Sequence, residues 1–108
     1  MAGEIIVLVT CQPVDANKLA SDLVSEKLAA CVSVLQNVVS TYRWEDKVSS
    51  DTESMLIIKS HSDLFSRLST RIKELHTYDV PEIVSLPIEA GYPPYLNWLN
   101  AQLDGASH

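Results

Sequence analysis

The run Val38-Val39-Ser40-Thr41-Tyr42-Arg43-Trp44-Glu45-Asp46-Lys47-Val48 carries the decision on the fold. Upstream, Val32 and Val34 share parity with Val38, Ser40, Tyr42 and Trp44, which is the period of a strand, with an irregularity around Gln36-Asn37. Glu45-Asp46-Lys47 is a tight polar turn, and residues 48–60 return with Met55-Leu56-Ile57-Ile58 as the apolar centre. The pattern predicts a long antiparallel hairpin. Each arm runs about twelve residues, or roughly 40 Å at ~3.3 Å per residue. A compact domain of this size has a radius of gyration of only about 13 Å. The tip, with Tyr42 and Trp44 on it, therefore projects beyond its own core, unless the hairpin bends back over its helices. A projecting aromatic strand pair associates unless another chain covers it, so we expect an obligate oligomer built by meeting sheet edges.

Working outward, residues 4–10 form a continuous β-branched and aliphatic run, suited to a strand buried on both faces. Cys11-Gln12-Pro13-Val14 turns the chain and Asp15 is placed as a helix N-cap. From Ala16, the apolar positions Leu19, Ala20, Leu23, Val24 and Leu28 make a one-sided helix ending near Ala30. Ser60-His61-Ser62-Asp63 offers caps for a second helix with Leu64, Phe65, Leu68, Ile72 and Leu75 on its apolar face. Pro81 forces Val80 into an extended conformation, residues 83–88 form a short strand, and residues 95–103 a last helix. The order is βαββαβ with an extra C-terminal helix. It predicts an α+β, ferredoxin-like sandwich in which an antiparallel sheet carries its main helices on one face.

The 108 residues suffice for one domain, 1–108, and no repeat or linker divides them. Fourteen acidic against eight scattered basic residues give a net charge of −6, which speaks against a nucleic-acid partner. No apolar run approaches the ~20 residues of a membrane span. Met1-Ala2-Gly3-Glu4 lacks the basic start of a signal peptide, so Cys11 and Cys31 read as two reduced thiols in a cytoplasmic protein.

Five blocks carry a family resemblance: Lys27-Leu28-Ala29-Ala30-Cys31-Val32, Tyr42-Arg43-Trp44-Glu45, Ile57-Ile58-Lys59, His76-Thr77-Tyr78-Asp79-Val80-Pro81-Glu82-Ile83 and Tyr95-Leu96-Asn97-Trp98-Leu99. In this order and spacing they resemble the CutA divalent-cation tolerance family, over nearly the whole chain. The resemblance implies a cytoplasmic homotrimer of ferredoxin-like subunits, similar in assembly to the PII signalling proteins. It also implies a role in copper and divalent-metal tolerance without a settled catalytic activity. Two departures stand out: Asp46 occupies a turn position that usually carries Gly, and Thr77 stands where the family often has Pro. The Cys and second His connected with copper in some bacterial relatives transfer only in part. Leu75 precedes His76, and Cys11 lies about two residues beyond the family site.

Among chemically capable groups, His76 is a candidate metal ligand with Glu82, Asp79 or Cys11 as partners, and copper as the metal in view. Its structural alternative is a helix C-terminal histidine capping free carbonyls. No CxxC or HxxxH pattern occurs, so any tight site needs ligands from neighbouring subunits. Cys31 reads as a buried small hydrophobe and Cys11 as the more accessible thiol. Tyr42, Trp44, Tyr95 and Trp98 read as core or interface anchors, and Lys59 as a partner for Glu82 or Glu53. Three unclustered glycines exclude phosphate-binding Gly-rich loops. The metal set is thus Cys11, His76 and Glu82, with no catalytic set. The expected function is a trimeric, non-enzymatic protein of divalent-metal tolerance with weak copper binding. Two alternatives stand beside it: a signalling module holding a small ligand in inter-subunit clefts, and a trimeric scaffold for another protein.

Overall fold

A computed structural model describes residues 3–105 of the chain. It contains β1 (Glu4–Cys11), α1 (Pro13–Ser25), β2 (Cys31–Trp44), β3 (Lys47–His61), a single 3-10 turn (Ser62–Leu64), α2 (Phe65–Leu75), β4 (Ile83–Pro87) and α3 (Pro93–Ala101). The four strands form one antiparallel sheet in the order β2-β3-β1-β4. This is the α+β arrangement expected from the sequence. Met1 and Ala2, which entered the leader argument, lie outside the described residues.

The hairpin arms are longer than the twelve residues expected, at 14 and 15. The turn is shorter, because Lys47 already pairs with Trp44. Its two central residues, Glu45 and Asp46, have φ of 49° and 64°. Two positive φ values give the turn the twist that matches right-handed strands, and Asp tolerates that region better than most residues. The irregularity at Gln36-Asn37 is a bulge: the register shifts between Leu35 and Val38, and Asn37 has φ 60°. β1 pairs with β3 only as far as Cys11–Ser54. The seven pairs from Val38–Glu53 to Trp44–Lys47 therefore form a two-stranded ribbon extending about 23 Å at ~3.3 Å per residue. The molecule measures 46 × 25 × 22 Å, so the ribbon projects and does not fold back over the helices.

α1 begins three residues before the expected start. Pro13 takes the first helical position, where its missing N–H costs nothing, and Gln12 rather than Asp15 is the N-cap. Asp15 instead sits in the first turn, where its charge favours the helix dipole. The helix also stops at Ser25, well short of Ala30. Lys27 has φ 61°, and Leu28 N–H bonds Leu23 O while Lys27 N–H bonds Val24 O. That is a Schellman cap with lysine in the left-handed position that glycine usually fills.

The core lies between the helices and one face of the sheet. Val7, Val9, Cys11, Leu56 and Ile58 pack with Leu19, Leu23, Leu68 and Ile72. A second small cluster joins Ala30, Leu64, Leu99 and Leu103 beneath α3. The opposite sheet face is apolar and uncovered. Ladder pairs place Leu8, Ile57 and Val84 in one row and Ile6, Lys59 and Leu86 in the next. Val84 is 48% and Leu86 50% exposed. β1 is therefore buried on one face only, contrary to the expectation drawn from its continuous apolar run, because no helix covers its other side.

Candidate functional site

The end of β1, the base of the ribbon and the α2–β4 loop meet at one place. α2 ends at Leu75, and His76 turns extended as its C-cap while its N–H still bonds Ile72 O. The imidazole then makes two bonds at once. Its Nε2–H donates to Thr10 O at 2.8 Å, and its Nδ1 accepts the Tyr78 N–H at 3.0 Å. A carbonyl only accepts and an amide N–H only donates, so these partners select the neutral Nε2–H tautomer. The expected capping role takes a different form: His76 holds the loop to β1 rather than donating to the last helical carbonyls.

Tyr78 lies tilted against that ring, with centroids 4.6 Å apart. Its hydroxyl donates to Glu53 Oε2 at 2.7 Å. Glu53 is only 8% exposed and is the first residue of β3 beyond the reach of β1. Burial, followed by the hydrogen bond and charge of Glu53, pushes the Tyr78 phenol well above its ordinary range. Further out on the ribbon Tyr42 repeats the motif, donating to Asp51. Lys73, in the last turn of α2, donates to the carbonyls of Tyr78 and Asp79 and closes the loop from the other side.

Cys11 ends β1 beneath this loop and is 1% exposed, so the more accessible thiol is the half-buried Cys31. The loop expected at Cys11 is strand, paired with Ser54 and facing the core. Burial, then the charges of Asp15 and Glu53, push its thiol up to about 11. Thr77 donates to Asp15 Oδ2 at 3.2 Å, tying the loop to α1. Beside it lies a cleft of about 120 Å³ lined by Cys11, Asp15, Lys18, Leu75, His76 and Thr77.

Glu82 sits at the exposed end of the loop, next to β4. The cleft thus gathers Cys11 and His76 but not Glu82. Among the described residues no group of three or more His, Cys, Asp or Glu side chains is arranged to hold a metal. Lys59 has no ion pair with Glu82 or Glu53 among the described residues; Glu53 serves Tyr78 instead. Glu53 is the residue that sequence reasoning missed in this role. Its signal was an acidic residue bordering an apolar strand centre, at the position facing Val38 just past the bulge.

A family model described as CutA1 divalent ion tolerance protein matches residues 5–102. The chain belongs to the CutA1 family. It is 44% identical over 97 residues to the divalent-cation tolerance protein CutA of Thermus thermophilus, covering 89% of this chain and 94% of that one. It is 47% identical over 96 residues to the chloroplastic CutA 1 of rice, Oryza sativa, covering 88% of this chain and 54% of that protein. The chain thus spans about half the length of the plant relatives it matches. In three dimensions it superposes on the Cut A1 protein of Thermus thermophilus with a TM-score of 0.91 at 42% identity, covering 94% and 99% of the two chains. The rice CutA1 crystal structure gives 0.93 at 41% identity, covering 95% of each. Relatives are named as chloroplastic in rice and periplasmic in Archaeoglobus fulgidus, so compartment varies across the family. No helix among the described residues is long and apolar enough to cross a membrane.

Proposed function

We propose that this chain acts in divalent-cation tolerance as a cytoplasmic homotrimer, with weak copper binding and no catalytic step of its own. The observation that carries the assembly is the uncovered apolar sheet face, with Val84 and Leu86 about half exposed, beside a ribbon that buries little of itself. Both edge strands, β2 and β4, are also open to another chain. A head-to-tail contact between unlike edges generates a ring when its rotation closes, and three is the number the family resemblance implies. The absence of a catalytic step is supported by commitment of the reactive groups: both His76 nitrogens are bonded and the Cys11 thiol is held neutral. A metal that reached His76 would have to displace Thr10 O or the Tyr78 N–H, which favours weak contact. Glu82 is available at the surface to complete such a contact from a neighbouring subunit.

Light scattering at micromolar concentration tests the assembly, and a monomer there would sink it. Thermal shift with Cu(II), Cu(I) and Zn(II) tests the metal: a bound ion raises the melting temperature with concentration. No saturable shift, together with unchanged metal binding in His76→Ala, removes direct metal contact from the reading. The cleft beside Cys11 and His76 supports the small-ligand alternative, and a shift from a small-molecule screen without any metal response would favour it.

A further inference from the structure

The ladder pairs carry the uncovered sheet face across all four strands. Cys31, Lys59, Ile6 and Leu86 make one row from β2 to β4, and Ser33, Ile57, Leu8 and Val84 make the next. Lys59 is half-buried and is the one charge in these two rows. Glu82 stands one residue ahead of β4 at the parity of Val84 and Leu86, and it is exposed. One face thus holds a cation within its apolar floor and an anion at its β4 edge.

These two charges cannot meet within one chain. From Lys59 the row crosses two strand spacings to Leu86, about 10 Å, and Glu82 lies four residues further along, about 13 Å. Side chains that stand roughly perpendicular to a sheet do not close the resulting gap of roughly 16 Å. The other carboxylates at the parity of this face are engaged. Glu4 accepts from Asn100, Glu53 from Tyr78 and Asp51 from Tyr42.

Covering the face changes what it demands. Its Ile, Leu and Val side chains gain by leaving water, whereas an ammonium shut away without an anion is costly. An occupant must therefore bring a carboxylate to Lys59 together with an apolar surface. A second copy of this chain offers both on one edge: Val84 and Leu86 are each about half exposed, and Glu82 adjoins them.

We propose that Glu82 of each copy pairs with Lys59 of the next, the β4 edge of one copy lying over the β3 row of its neighbour; this rests on the ring assembly put forward above. Each copy gives its carboxylate to one neighbour and its ammonium to the other, so no charge is left over on the covered face. The pair also fixes direction. Two β3 rows brought together would set Lys59 against Lys59, and two β4 edges would set Glu82 against Glu82. A carboxylate has about four lone-pair sites, so Glu82 paired in this way can still touch a metal.

The test is light scattering of the full chain over a dilution series. It is run with a metal chelator, in a fixed urea concentration at which the parent begins to dissociate. Glu82→Lys sets two cations face to face and should raise the concentration at which trimer mass is lost by about tenfold or more. Lys59→Glu should do the same, and the double exchange Lys59→Glu with Glu82→Lys should return the curve toward the parent's. Should Lys59→Glu fail to fold, Lys59→Met takes its place: with no cation to face, Glu82→Lys should cost far less in that background. A trimeric parent whose curve Glu82→Lys leaves unchanged overturns the pair and leaves the assembly standing. So does a cost of Glu82→Lys that is the same beside Lys59→Met. A parent that is monomeric at micromolar concentration without urea overturns the assembly, and the pair falls with it.

Discussion

Tyr78 donates its phenolic hydrogen to Glu53 Oε2 across 2.7 Å, and this one bond ties the α2–β4 loop to the base of the projecting ribbon. Removing the hydroxyl leaves a nearly buried carboxylate without its donor. Tyr78→Phe should destabilise the chain by about 1–3 kcal/mol, read from denaturant midpoints. Glu53→Gln, which still accepts from the phenol, should cost less. A double-mutant cycle on the two positions should show coupling; additive effects would mean that the loop is held by other contacts.

His76 binds the same loop to β1 through both ring nitrogens. Truncating it to Ala removes both bonds and strands the Thr10 carbonyl and Tyr78 N–H, so we expect a loss of about 2 kcal/mol. Hydrogen exchange at Tyr78 should accelerate before exchange in the core strands does. Uniform acceleration throughout the sheet would show that the ring supports the whole domain instead.

Cys11 makes stability fall in alkali. Its thiol is pushed from 9.0 to about 11, so the neutral form is favoured by folding. The contribution is complete below pH 9 and is lost as pH rises from the unfolded value toward the folded one. Cys11→Ala should flatten the melting profile across that window. With a thiol reagent at mildly alkaline pH, Cys31 should react first, because Cys11 is buried and un-ionised. Faster labelling of Cys11 would contradict the burial described above.

Lys27 holds the left-handed position of the Schellman cap at φ 61°. Glycine there relieves the Cβ strain while keeping both cap bonds, so Lys27→Gly should stabilise the chain by about 1 kcal/mol. A domain of this size then gains roughly 4–8 °C in melting temperature. Lys27→Val should lower it.

Leu86 stands half exposed on the uncovered sheet face, in one row with Ile6. A charge there lies outside the buried core cluster and opposes any sheet-to-sheet contact. Leu86→Asp should lower the scattering mass toward that of one 11.9 kDa chain while the circular dichroism of the subunit persists. An unchanged mass would move the assembly contact elsewhere.

Local pattern settled the element order. Parity along residues 32–44 made a strand, spacing from Leu64 to Leu75 made a helix, and the polar run Glu45-Asp46-Lys47 marked the reversal, which the ladder then narrows to Glu45-Asp46. These features depend on neighbours along the chain, and a sequence displays neighbours. The start and end of α1 were less legible, because a proline N-terminus and a lysine in the left-handed cap each depart from the commonest signal at their position. What the tertiary structure alone decided is which distant groups meet. Thr10 lies 66 residues from His76, Glu53 lies 25 from Tyr78, and Glu4 lies 96 from Asn100. Hydrogen bonds carry no periodicity that marks their partner in the chain, so the residues that hold this site together become visible only when the sheet has brought them within hydrogen-bonding distance of one another.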